Sequence, residues 1–196
     1  MDDIEIHQQL AKGETDTQDF KLEITSSQKI AKTLVAFANT KGGRIWIGVK
    51  DNGRILGCEI LEEQYMIEQA IDKYSKPAVY VQFVNHVIDD KEILEVQIPQ
   101  SPHSAQDDQG QWMVYVRNTD HTLLAGVVTV ETLKNRNKSV LIKYSELEKN
   151  LLILIHEEPN LFLNQVVAKL KKPRRILILI LPIYDRTHTI YSVCPQ

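Results

Sequence analysis

The densest chemistry in the chain lies in FANTKGGRIWIGVKDNGRILG, residues 37–57, where Gly42, Gly43, Gly48, Gly53 and Gly57 alternate with Lys41, Arg44, Lys50, Asp51 and Arg54. Glycines beside cations are the material of a phosphate-binding loop, and an acid among them would suit a metal-dependent site. The same residues could equally do no more than shape turns. Order decides against a phosphate loop: such a loop needs a strand, then the glycines, then a helix whose N-terminus faces the phosphate. Here an apolar helical pattern precedes Gly42-Gly43 and a strand pattern follows. A helix in that position turns its partly negative C-terminus toward the glycines, so ATP is not expected here and no cofactor is expected. Lys41, Arg44, Lys50 and Arg54 remain as turn-borne cations able to neutralise a nucleic-acid backbone. Solvated surface residues are the alternative.

These residues need elements to hold them. Ser26 or Ser27 can cap QKIAKTLVAFAN, in which Ile30, Leu34, Phe37 and Ala38 recur on one helical face; Asn39 and Gly42-Gly43 would close it. RIWIGV has the composition of a strand buried on both faces, with Trp46 in the core. Asp51-Asn52-Gly53 reads as a hairpin turn into a second strand, ILGCEI. LEEQYMIEQAIDKY predicts a helix with Leu61, Tyr65, Ile67, Ile71 and Tyr74 facing inward. AVYVQFVNHVID and EILEVQIP predict an antiparallel pair turning at Asp89-Asp90-Lys91, WMVYVR a further strand, and VTVETLKNR a short helix. The fold class expected is an α/β (α+β) sandwich with a mixed sheet, followed by a small helical or winged-helix C-terminal module.

Charge is unevenly spread. Residues 1–133 hold 12 Lys/Arg against 21 Asp/Glu, a net of −9, whereas residues 134–196 hold 11 against 5, a net of +6. Such asymmetry points to a module with a polyanionic partner, a solvated basic surface being the alternative. We place the boundary in the polar, basic stretch 134–144, giving domains 1–135 and 140–196. Beyond it, SELEKNLLILIHEE, NLFLNQVVAKLKK and RRILILILPIYDR predict three helices punctuated by Pro159 and Pro173. HTIYSV would add a strand, which completes the outline of a winged helix-turn-helix. The apolar third helix is unusual for a groove reader and leaves Arg174, Arg175, Arg186 and His188 to touch nucleic acid.

Other chemistries find little support. The six histidines show no HxxxH or HExxH spacing, no serine sits in a nucleophile elbow, and Cys58 and Cys194 lack a CxxC partner, so reduced thiols in a cytoplasmic protein are expected. No apolar run approaches the roughly 18–20 residues of a membrane helix, and the acidic N-terminus is unlike a signal peptide.

Glu14, the triplet Asp19-Phe20-Lys21, AFANTKGG, IWIGVKDNGRILG and WMVYVRNTDHTLLA together resemble, in order and spacing over about residues 10–135, the Schlafen AlbA-type DNA-binding domain family found in many bacterial proteins classed as transcriptional regulators. The resemblance implies an α/β domain, often described as DNA- or ATP-binding and often followed by a helix-turn-helix. It adds Lys21 and Arg117 to the candidate nucleic-acid-binding set of Lys41, Arg44, Lys50, Arg54, Arg174 and Arg175; Arg117 could instead pair with Asp120. Animal relatives include divalent-metal-dependent endoribonucleases with three carboxylates. The matching positions are Glu14, Asp19 and Asp51, which would be both catalytic and metal-binding with Mg²⁺ or Mn²⁺. Position 19 carries Asp where the motif usually has Glu, and Lys50 stands where some relatives place an acid.

The expectation is therefore a nucleic-acid-binding protein, a DNA-binding transcriptional regulator and homodimer more readily than an enzyme. The alternatives are a Schlafen-like endoribonuclease acting through Glu14, Asp19 and Asp51, and an oligomerisation or protein-interaction module using the apolar ILILIL segment.

Overall fold

The computed structural model describes residues 3–135, 145–158 and 161–184. It divides into two compact units, Met1–Leu124 and Ala125–Gln196.

In the first unit the chain runs through α1 (Asp3–Leu10), β1 (Gln18–Lys21), α2 (Ser27–Asn39), β2 (Gly43–Ile47), α3 (Ile60–Tyr74) and β3 (Ser75–Lys76). It continues with β4 (Gln82–Ile88), β5 (Lys91–Ile98), β6 (Ser104–Gln106), β7 (Trp112–Met113), β8 (Tyr115–Asn118) and β9 (His121–Leu124). The main sheet has the order β1-β2-β5-β4. β1 and β2 are parallel and the other pairs antiparallel, so the sheet is mixed. Smaller sheets pair β3-β6-β7 and β8-β9.

Ser26 opens α2 by accepting the Lys29 N–H at 3.3 Å, the ordinary N-cap arrangement. Ile30, Leu34, Phe37 and Ala38 are all buried. The helix closes where the N–H groups of Thr40 and Gly42 both donate to the Phe37 carbonyl. Gly42 has φ +72, and a Cβ there would lie 2.6 Å from the Ile98 carbonyl oxygen, so only glycine fits. β2 follows and is buried on both faces. Ile45 and Ile47 pack with Leu94, Val96 and the residues of α2 and α3. Trp46 packs the other way with Phe20, Ile93 and the α1 residues Ile6 and Leu10. Alternation along a strand thus builds two cores from one sheet.

Three local expectations are corrected. The turn at Asp51-Asn52-Gly53 forms, with Gly53 N–H on the Lys50 carbonyl, but ILGCEI is not a strand. After one bridge between Val49 and Ile55, the N–H groups of Leu56 and Gly57 both turn onto the Gly48 carbonyl. Gly48 and Gly57, each at φ +90, approach so closely that the chain folds over instead of extending. WMVYVR is split between β7, paired with β6, and β8, paired with β9. In α3 the buried residues are Ile60, Glu63, Ile67 and Ala70, with Ile71 and Tyr74 packed beside them. Leu61 and Tyr65 are 81% and 58% exposed. The helix is rotated from the predicted phase because Glu63 is drawn inward, where its Oε2 accepts the Ile24 N–H at 3.0 Å.

The second unit contains α4 (Val127–Asn135), α5 (Glu146–Glu157), α6 (Leu163–Leu170) and α7 (Arg174–Tyr184). Ser145 and Glu148 form a capping box at the start of α5. Val128 of α4 is buried with Leu151, Ile155, Val166, Leu177 and Leu181. That burial groups α4 with the later helices, so the division falls before it and not within 134–144. Leu177 and Leu181 account for part of the apolar ILILIL run as core. The predicted strand HTIYSV lies outside the described residues.

Two substitutions check the phase of α3. Ile67→Ala is expected to lower the urea-derived unfolding free energy by about 2–5 kcal/mol, and Leu61→Ala to change it by no more than about 0.5 kcal/mol.

Candidate nucleic-acid interface

β1 and the segment before it carry the acids that could do chemistry. Asp19 alternates away from Phe20 toward the α2 side of the sheet and is buried. Its Oδ1 accepts from Arg117 Nη2 at 2.7 Å. Lys21 Nζ lies 2.7 Å from Oδ2, so both oxygens of the carboxylate face a cation. Lys21 also donates to the Phe20 carbonyl and sits 4.0 Å from Glu14 Oε1. Glu14 Oε1 accepts the Phe20 N–H at 3.1 Å. Burial pushes the Glu14 carboxyl above the usual Glu range and the Asp19 charge adds to this, while the Phe20 N–H pulls the other way.

Arg117 completes the cluster from β8. It is 6% exposed, its guanidinium lies 4.8 Å above the Phe37 ring, and its backbone N–H donates to Thr40 Oγ1 at 2.8 Å. The alternative partner, Asp120, is instead held by Thr119 and lies 3.1 Å from His121 Nδ1. Arg117 is thus a structural cation: with its charge on Asp19 and no surface to offer, it is not placed to touch a phosphate. Lys21, partly exposed, is engaged by the same acids.

Asp51 stays apart from this cluster, exposed in the Lys50–Arg54 turn. Among the described residues no three His, Cys, Asp or Glu side chains are disposed to share a metal ion. The structure brings Glu14 and Asp19 together and leaves Asp51 out, and it commits Asp19 to Arg117. The donor set therefore does not fit a Mg²⁺ or Mn²⁺ ion held by the three carboxylates.

The glycine segment's cations are also divided. Lys41 precedes β2 and pairs with Asp16 at 2.5 Å. Lys50 and Arg54 are exposed beyond its far end. A five-residue strand separates the two places by roughly 17 Å. Arg44 lies within β2, with Nη1 3.0 Å from the wholly buried Glu95, whose other oxygen is 3.0 Å from His86 Nε2. Sequence reasoning did not single out Glu95; its signal was one acid inside the apolar run EILEVQI. Trp46 is fully buried, as expected, and Trp112 is 43% exposed beside Lys76. Burial pushes the Cys58 thiol up to about 11, so it is no ready nucleophile.

The second unit gathers cations more closely. α6 ends at Lys171, whose left-handed backbone (φ +50) closes the helix, and α7 begins three residues later at Arg174. Lys171, Lys172, Arg174 and Arg175 are all exposed. Two helices joined by so short a turn form a helix-turn-helix pair in outline. The N-terminus of α7 adds partial positive charge where these side chains stand. Lys171 and Lys172 were missed in the sequence because they read as the polar end of α6.

Fold and charge together define an α+β domain followed by a helical unit bearing a basic turn. Residues 14–126 match the family model Schlafen, AlbA_2, and the chain belongs to that family. No protein of curated function matches it. Among solved structures it is similar to the DIP2311 protein from Corynebacterium diphtheriae, with 18% identity and a TM-score of 0.50 over 80% of this chain. The chain spans only 37% of that protein's length. It is also similar to the N-terminal domain of an ATP-dependent DNA helicase RecG-related protein from Nitrosomonas europaea. There the identity is 15% and the TM-score 0.46, over 74% of this chain and 98% of the other. Among the described residues no helix is long and apolar enough to cross a membrane.

Removing Arg117 would leave the buried Asp19 carboxylate with Lys21 alone as an ionic partner and its Oδ1 without a hydrogen bond. Arg117→Ala is expected to lower unfolding free energy by about 3–5 kcal/mol in chemical denaturation; a loss below about 1 kcal/mol would show the pair to be dispensable.

Proposed function

We propose that the chain binds nucleic acid, DNA by preference, and acts as a transcriptional regulator. The observation that carries this is the turn between α6 and α7, where Lys171, Lys172, Arg174 and Arg175 stand exposed within five residues at a helix N-terminus. Cations in that setting neutralise backbone phosphates and displace condensed counterions. Membership of the Schlafen, AlbA_2 family and the +6 balance of residues 134–196 support the same reading. Lys41, Lys50 and Arg54 of the first unit could add contacts of the same kind.

The endoribonuclease reading has less support, since it needs Asp19 free and Asp51 nearby. A homodimer and a cytoplasmic location belong to the proposal. Ile153, Phe162 and Leu179, each more than half exposed, supply apolar surface of the kind a protein contact uses.

Fluorescence-anisotropy titrations of a DNA duplex against salt test the proposal. For the wild type, log affinity is expected to fall linearly with log salt. Arg174→Ala and Arg175→Ala should each reduce the slope by about 0.9 if each cation meets one phosphate. Equal slopes in all three proteins would sink the assignment.

A further inference from the structure

A cavity of about 370 Å³ opens at the end of the main sheet where β1, β2 and β4 begin and β5 finishes. Its size falls at the lower end of the roughly 300–1,000 Å³ typical of small-ligand sites. Strand register explains its lining. Gln18 pairs with Arg44, Arg44 with Gln97, and Gln97 with Gln82, so four polar side chains form one cross-strand row on the α1 face.

The inner part of this row is saturated. Gln18, 2% exposed, accepts from Trp46 Nε1 at 3.2 Å and from Gln9 Nε2 at 2.9 Å. Its Nε2 donates to the Gln9 and Gly13 carbonyls. Arg44 is the one charged residue lining the cavity, and its charge already faces Glu95. The site is therefore poorly suited to a phosphate. Toward the opening the chemistry changes. Gln97 is half-buried and its side-chain amide has no hydrogen-bond partner among the described residues. Gln82 Nε2 donates to the hydroxyl of Tyr80 at 3.2 Å, and Tyr80 stands 62% exposed at the rim. Ile98 and Pro99 supply an apolar wall.

A carboxamide open to the cavity offers one donor and one acceptor side by side, the complement of the adenine N6/N7 edge. An exposed tyrosine beside it offers a stacking surface. We infer that this cavity binds a nucleobase, adenine for preference, through the Gln97 amide and the Tyr80 ring. The base could come from a free nucleoside or from an unpaired position of a strand; the second source rests on the nucleic-acid-binding reading.

Isothermal titration of the full chain with adenosine, with ribose 5-phosphate and with a short adenine-rich single strand separates these cases. Adenosine is expected to bind with a dissociation constant below about 1 mM, and ribose 5-phosphate not to bind. Gln97→Ala and Tyr80→Ala should each weaken adenosine binding about fivefold or more; Tyr80 is exposed, so its loss leaves folding intact. Adenosine binding without strand binding would uphold the cavity with the free nucleoside as its source, and would leave the duplex reading of the α6–α7 turn to its own titration. Strand binding weakened by both variants, with free adenosine inert, would uphold it with the strand as source. Strand binding indifferent to both variants, with adenosine inert, or equal binding of ribose 5-phosphate, would overturn the cavity proposal; the former would leave the nucleic-acid reading standing.

Discussion

A buried ion pair between Asp19 and Arg117, 98 residues apart in sequence, holds the first unit's edge together. It fastens β1 of the main sheet to β8 of the outlying hairpin. The Arg117 side chain lies over Phe37 of α2 and its backbone N–H is fixed by Thr40, so three elements meet on one side chain. Both partners are nearly without solvent, and a buried pair of this kind is costly to break from one side even where its net contribution is small. Asn39 works beside it. Its amide donates to the His103 and Tyr115 carbonyls, and its Oδ1 accepts the His103 N–H at 2.7 Å. The end of α2, including the glycines after it, is thus clamped from the β8 side.

That constraint decides how the charges divide. Acids that resemble a nuclease set by position are used to anchor β1: Glu14 caps the Phe20 N–H and Asp19 neutralises Arg117. Glu95 plays a comparable part on the opposite face of the sheet, between Arg44 and His86. Cations available to a polyanion are those outside such pairs, and they are most concentrated between α6 and α7. The chemistry that looked concentrated in the glycine segment is distributed, with its turns shaping the chain and its charges facing different directions.

The elements with strong local signals were legible in the sequence. α2 was readable from its serine cap, its apolar face and the glycines that end it, and β2 from a run apolar at nearly every position, Arg44 being the exception. The β4–β5 hairpin was readable in the same way, whereas β1, whose parallel pairing with β2 makes the sheet mixed, carried no strand signal that was read. What escaped was set by tertiary contact. The phase of α3 depends on Glu63 reaching a backbone N–H 39 residues away, which apolar spacing cannot reveal. ILGCEI carries strand-like composition, yet two glycines at positive φ fold it back. Arg117 has a nearby acid in Asp120, and only the three-dimensional arrangement shows that Asp19 takes it. The membership of α4 in the second unit was hidden for the same reason, since Val128 is an ordinary apolar residue until its neighbours are known.

Nucleic-acid contact through surface cations, with the acids reserved for structure, is the claim on which the rest turns. A backbone-amide NMR titration of the full chain with a DNA duplex at low salt tests it most directly. The largest shifts are expected at the amides of Lys171, Lys172, Arg174, Arg175 and Ile176, around the α6–α7 turn, with Glu14 and Asp19 little changed. Shifts centred on Glu14, Asp19 and Asp51, or no shifts at all, would contradict it.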